Sequence, residues 1–184
     1  MSTRETLIAE LREHALVIGE VTLTSGATAS YYVDAKRAIL RQPGFAALGE
    51  LVAAEANRRD AAAVGGMTMG ADPVASAAIA DPAGHGLLAF FVRKEKKQHG
   101  LQRWIEGPLL AAGTRALIVE DVVTTGGSTV QAIERCQEEG LEIAGVVSVL
   151  DRLAGGGEAI EAAAAGAPYT PLATIDEVYP ERDR

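Results

Sequence analysis

Two periods of apolar residues alternate along this chain, and their order predicts its architecture. Leu7, Leu11, Ala15 and Ile18 fall on one stripe of a helix over residues 3–18, with Gly19 as its stop. Residues 21–23 and 31–33 read as two short strands around the turn Ser25-Gly26-Ala27, a hairpin-like segment placed before any strand–helix unit. Strands then alternate with helices. A helix over 43–57, opened by Pro-Gly, is followed by a strand at 61–64, a helix from Pro73 and a strand at 87–92. Next come a strand at 116–119, a helix carrying Val130, Ile133 and Cys136 on one face, and a strand at 143–150. An Ala-rich helix at 158–165 and a strand at 169–173 close the series. This alternation implies an α/β fold with a mostly parallel sheet covered by helices on both faces. No repeat or linker divides the 184 residues, so a single domain is expected, with a small hood mainly over 19–40.

The most informative stretch is 116–130, ALIVEDVVTTGGSTV. An apolar strand runs into two adjacent acids, Glu120 and Asp121, and then into the small-residue turn Thr124-Thr125-Gly126-Gly127-Ser128-Thr129. Ligands of parallel α/β sheets sit beyond the carboxyl ends of the strands, where these acids would emerge. Gly126 and Gly127 would allow positive φ and close backbone approach, and the first amides of the following helix are unpaired donors. Such a loop suits a phosphate, while a carboxylate pair beside it suits hydroxyl groups, a metal ion or a cationic transition state. A sugar phosphate supplies all three. The glycines do not follow a Walker loop or a dinucleotide fingerprint. A second glycine-rich loop, Gly65 to Asp72, offers another anion cradle or a packing turn.

Charge changes the picture at one place. The net charge is −8, which disfavours nucleic acid as a main partner. Yet Arg93, Lys94, Lys96, Lys97 and Arg103 stand against Glu95 alone between Val92 and Trp104, a local excess of +4. With His99-Gly100 inside it and Gly107-Pro108 behind it, this run reads as a mobile cationic flap over about 93–107. At an effective dielectric near 20, a cation brought within ~4 Å of a phosphate charge contributes about 4 kcal/mol before desolvation is subtracted. Arg152, at another strand end, can offer a forked pair of donors to a carboxylate or carbonyl, or can be an exposed loop arginine. Cys136 is the only cysteine, which excludes an internal disulfide and a cysteine zinc site and suits a small buried hydrophobe. No apolar run approaches the ~20 residues of a membrane span, and the N-terminus is no signal peptide, so a cytoplasmic protein is expected, with no membrane partner.

IVEDVVTTGGST closely resembles the phosphoribosyl diphosphate (PRPP) motif of the type I phosphoribosyltransferases. Within them, Arg93-Lys94-Glu95-Lys96-Lys97-Gln98-His99-Gly100 resembles the R-K-x-x-K-x-H-G loop of the orotate phosphoribosyltransferase family, and Leu23-Thr24-Ser25-Gly26, Tyr31-Tyr32-Val33-Asp34 and Leu150-Asp151-Arg152 match in position. The resemblance implies transfer of a phosphoribosyl group from PRPP to N1 of orotate, with Mg2+ carried mainly by the diphosphate and no direct protein ligand. It implies that Glu120 and Asp121 meet the ribose hydroxyls or the developing oxocarbenium charge. The segment Val122, Val123, Thr124, Thr125, Gly126, Gly127 and Ser128 would wrap the 5′-phosphate. Arg93, Lys94, Lys97 and His99 would meet the diphosphate, partly across a homodimer interface, with Lys97 and His99 joining the acid pair as catalytic residues. Thr124 and Arg152 would hold orotate, and the Gly65 loop would take the pyrophosphate side.

Thr24 and Met69 depart from the family pattern, since many members carry a lysine at the first position and some at the second. Two rival functions stay open: a relative acting on a purine or uracil, disfavoured by the flap motif, and a non-catalytic PRPP sensor contacting nucleic acid, disfavoured by the charge. The blandest alternative is an α/β domain whose acid pair and glycines are structural.

Overall fold

Eight strands and seven α-helices follow one another in the computed structural model, which describes residues 1–22, 28–95 and 103–182, the side chains of 20–22, 28 and 29 excepted. Helix α1 (Thr3–Glu10) is opened by a reciprocal capping box between Ser2 and Glu5. A wide π turn over Leu11–Ala15 then leads directly into strand β1 (Leu16–Thr22). The helix expected to reach Ile18 therefore stops early. Leu16, Val17 and Ile18 pair instead with Val33, Tyr32 and Tyr31 of the antiparallel strand β2 (Thr28–Val33), and Ile18 is left exposed. Cross-strand pairing of β-branched and aromatic residues outweighs the helical stripe here. Gly19 is no helix stop; it has φ +133° next to the irregularity in that ladder. A one-turn helix α2 (Lys36–Ile39) leads from the hairpin to α3 (Gln42–Arg58), which buries Leu48, Val52, Ala53 and Ala56.

The main sheet is built from β3 (Ala63–Met67), β4 (Leu88–Val92), β5 (Ile105–Glu106), β6 (Arg115–Val123), β7 (Glu142–Asp151) and β8 (Tyr169–Thr174), in the order β5-β4-β3-β6-β7-β8. All neighbours are parallel except β5, a two-residue antiparallel edge on β4 that the sequence pattern is too short to reveal. Helices α4 (Ala71–Ala80), α5 (Gly127–Glu138), α6 (Gly156–Ala163) and α7 (Ile175–Val178) complete the chain. The expected α/β architecture, a mostly parallel sheet between helical layers, is what forms. Alternate residues of β6 serve the two faces: Leu117 and Val119 join α3 and α4 in one core, Ala116 and Ile118 join α5 and α6 in the other. Cys136 is buried in the second core, and burial pushes its thiol up to about 12, so it is inert packing.

Two glycines allow β3 to pack closely against its neighbours, the strand β4 and the helix α4. A Cβ on Gly65 would stand 2.6 Å from the Phe90 ring, and one on Gly66 would stand 2.8 Å from the Ala71 side chain. The carboxyl ends of β3, β6 and β7 thus converge with the start of α4 and the hairpin.

Candidate active site

Glu120 and Asp121 lie within β6, which runs four residues past the expected strand end at 119. Continued pairing with β7 holds them, Glu120 opposite Ser148 and Val122 opposite Leu150. Both acids are almost wholly buried. Glu120 accepts hydrogen bonds from the Ser128 hydroxyl (2.8 Å) and the Thr129 hydroxyl (3.2 Å), which tie it to the first turn of α5. Asp121 accepts one from the Lys36 ammonium (2.7 Å), at the start of α2, and another from the Val122 amide (2.9 Å). Burial first, and then the adjacent charge of Asp121, push the Glu120 carboxyl up to about 7, while the Ser128 hydroxyl partly opposes them. Burial acts to lower the Lys36 ammonium, but its hydrogen bond to Asp121 and the charges of Asp121 and Asp34 outweigh it and leave the group above its ordinary value.

The turn after β6 uses its glycines differently from the expectation. Gly126 has φ +79° and packs so tightly that a Cβ would stand 2.8 Å from the Gly156 carbonyl oxygen. Gly127 is not at positive φ; it is the first residue of α5, and a Cβ there would meet nothing within 4 Å. The open face at the helix start is therefore available to an anion. Across from it, the loop after β3 contains a cis peptide between Thr68 and Met69, and Gly70 lies against the acids: a Cβ on it would stand 2.8 Å from Glu120 Oε1. Helix α4 starts at Ala71, two residues before Pro73.

Three adjoining cavities surround these groups. The first, about 260 Å³, is bordered by Glu120, Asp121, Ser128, Lys36, Gly70, Met69 and Lys94. The second, about 230 Å³, shares Lys36 and Asp121 with it and extends to Tyr32, Val122, Thr124 and Arg152. Arg152 directly follows β7; its amide donates to the Val123 carbonyl (2.9 Å) and its guanidinium lies 4.8 Å from the Tyr31 ring centroid. The third, about 480 Å³, lies on the flap side, between Thr68, Met69, Phe91, Arg93, Lys94 and Glu106.

The roots of the flap are fixed to α5. Arg135 donates to the carbonyls of Arg93 (2.8 Å) and Lys94 (3.0 Å), and its guanidinium lies 4.3 Å from the centroid of Trp104, whose indole N–H donates to Glu138 (2.7 Å). The helix that opens at the glycine turn is thus also the helix that carries both feet of the flap.

Comparison with known proteins decides the family. A phosphoribosyl transferase domain model matches residues 37–164. The orotate phosphoribosyltransferase of Corynebacterium glutamicum is 44% identical over 178 residues, covering 97% of this chain and 95% of that one. The chain belongs to the orotate phosphoribosyltransferase family. The Mycobacterium tuberculosis orotate phosphoribosyltransferase, solved in complex with Fe(III) dicitrate, superposes with a TM-score of 0.86 at 42% identity, over 97% of this chain and 99% of that one. The same enzyme solved in complex with PRPP gives 0.81 at 38% identity, over 96% and 99%.

Of the residues expected to form the site, Glu120, Asp121, Ser128 and Lys94 border the first cavity and Val122, Thr124 and Arg152 the second. Arg93 stands with Lys94 on the third, paired with Glu106 at 3.0 Å. Val123 points into the core and borders none of these three, because successive strand residues face opposite ways. Thr125 is exposed on the turn. Lys97, His99 and Thr24 lie outside the described residues. Gly70 belongs to the glycine-rich loop expected as a second anion cradle or a packing turn, whereas Lys36 and Arg135 are part of the arrangement without having been expected from their sequence surroundings. Lys36 carried a signal, a cation two positions behind the Tyr-Tyr-Val-Asp strand end, with Arg37 next to it.

Proposed function

We propose that this chain transfers the phosphoribosyl group of PRPP to N1 of orotate, giving orotidine 5′-phosphate and pyrophosphate for pyrimidine synthesis. The observation that carries the reading is the arrangement at adjacent strand ends: an acid pair and an open phosphate loop on β6, and beside them a forked cation on β7. On this reading, the ribose hydroxyls donate to Glu120 and Asp121, and the 5′-phosphate rests on the loop 122–128 and the amides opening α5. Arg93, Lys94, Lys97 and His99 neutralise the diphosphate, while Thr124 and Arg152 orient orotate. N1 attacks C1′, the C1′–O bond breaks with its electron pair leaving on the diphosphate, and the N1 proton passes to the departing diphosphate or to solvent. The acid pair stabilises the positive charge that develops on the ribose, and a closing flap excludes water.

Among the described residues no group of three or more acids, histidines or cysteines could cage a metal ion. The donors present suit a Mg2+ held mainly by the phosphate oxygens of PRPP, with no direct protein ligand expected. Bound there, it would neutralise charge on the leaving diphosphate. The family resemblance further implies a homodimer whose active sites are shared between chains, working in the cytoplasm. No helix of the described residues is long and apolar enough to cross a membrane.

The decisive assay follows the loss of orotate absorbance with PRPP and Mg2+, with adenine, hypoxanthine and uracil as parallel acceptors and a Lys97→Ala variant as control. Orotate consumption that collapses in the variant is the expected result. Turnover of another base in place of orotate would overturn the substrate, and PRPP binding without turnover of any base would favour the sensor.

A further inference from the structure

Lys36 stands on the partition between the two cavities that would receive the sugar and the base. Its ammonium is 2.7 Å from Asp121 and 3.3 Å from Asp34, and its side chain borders both spaces. Met69, which replaces a cation expected by resemblance, is exposed beside it. The base-side cavity holds two cations, Lys36 and Arg152, at different places: Arg152 is at the end of β7 over Tyr31, and Lys36 is next to the acids that would face the ribose.

The chemistry of the acceptor makes this placement meaningful. The carboxylate of orotate is on C6, the ring atom bonded to N1, and N1 is the atom that joins the sugar. Once the base is aligned for transfer, its carboxylate therefore lies next to the ribose, at the boundary between the cavities. We propose that Lys36 is a specificity-determining residue that reads this carboxylate from the ribose side, together with Arg152 on the outer side. In the free protein the ammonium is held by Asp121 and Asp34. When the ribose hydroxyls donate to Asp121, they take over the lone pairs that Lys36 had used, and the ammonium turns toward the incoming anion with Asp34 still beside it. The cation is thereby kept charged and close by before either substrate arrives, which lowers the cost of ordering it. An acceptor without the carboxylate would leave this cation paired with Asp34 alone and gain nothing from it, so Lys36 favours the base that carries the carboxylate.

The inference rests on the proposed reaction, and its test separates the two. Orotidine 5′-phosphate and uridine 5′-phosphate differ only in the C6 carboxylate. Their dissociation constants would be measured by calorimetry for the full chain and for Lys36→Met, Lys36→Gln and Lys36→Arg, with melting temperatures recorded for each. The glutamine variant keeps a hydrogen-bond donor for Asp121 without the charge. The expected result is a wild-type preference for orotidine 5′-phosphate that shrinks by about ten- to a hundredfold in the methionine and glutamine variants. Uridine 5′-phosphate affinity should stay within about threefold, and arginine should recover part of the preference. If both nucleotides weaken equally, Lys36 acts on the sugar side only and the inference is wrong. Unchanged affinities for both would also sink it. A wild-type chain that binds the two nucleotides equally would instead overturn the orotate reading itself.

Discussion

Replacing Glu120 by glutamine should change how stability depends on pH. In the folded chain the carboxyl is pushed up to about 7 from an ordinary 4.5, mainly by burial and then by the charge of Asp121. The folded state thus holds a proton that the unfolded state has released, and stability falls as pH rises through this window. Below pH 4.5 both states are protonated and the penalty is absent. It grows between pH 4.5 and 7 and is complete above pH 7. A displacement of about 2.5 pH units corresponds to about 3 kcal/mol, a large part of the margin of an ordinary domain. Glu120→Gln retains acceptors for Ser128 and Thr129 but cannot ionise. Its stability relative to wild type should therefore improve by about 3 kcal/mol between pH 4.5 and 8. Urea unfolding of both proteins at pH 5, 6, 7 and 8 measures this difference directly. A difference that is constant with pH would refute the reasoning, because it would mean that the carboxyl ionises equally in both states. Because the two acids are coupled, Asp121→Asn should move the transition to lower pH by removing the neighbouring charge.

Gly70→Ala should place a methyl group against both acids, whose positions are fixed by Lys36, Val122, Ser128 and Thr129. The KM for PRPP should rise by about ten- to a hundredfold with a stability cost of about 1–3 kcal/mol, measured by initial rates and thermal melts; an unchanged KM contradicts the placement. Arg135→Met removes two hydrogen bonds to the flap roots and the cation stacked on Trp104. Emission from Trp104, the one tryptophan of the chain, should shift to the red and the KM for PRPP should rise several-fold. Wild-type emission and KM in this variant would show that the roots are held some other way.

The alternating architecture was legible because each buried strand and amphipathic helix carries its own period, as in Leu117 to Val119 or Ile133 and Cys136. The acid pair and the glycine turn were legible because unusual side chains stood in sequence order. The parts that were missed depend on partners distant in sequence. Residues 16–18 satisfy a helical stripe and a strand equally well, and only pairing with 31–33 decides between them. Glu120 and Asp121 read as loop residues because acids are poor strand formers, yet β7 keeps them in the ladder. Gly127 looked like a conformational glycine, while its neighbour alone has the positive φ. Lys36 acquires its place from Asp121, 85 positions away.

The ladder between β6 and β7 has a consequence for how such a site tolerates change. Val122 opposes Leu150, Val123 opposes Asp151, and the Arg152 amide closes the ladder on the Val123 carbonyl. The backbones that carry the phosphate turn and the base-side arginine are therefore graduated on one ruler, whose marks are strand residues ~3.3 Å apart. Their separation is set by main-chain bonds and can change only by whole steps of register. Substitutions in the outer helices can loosen the layers without altering that spacing. Variation at the periphery is in this way insulated from the alignment of the two reactants.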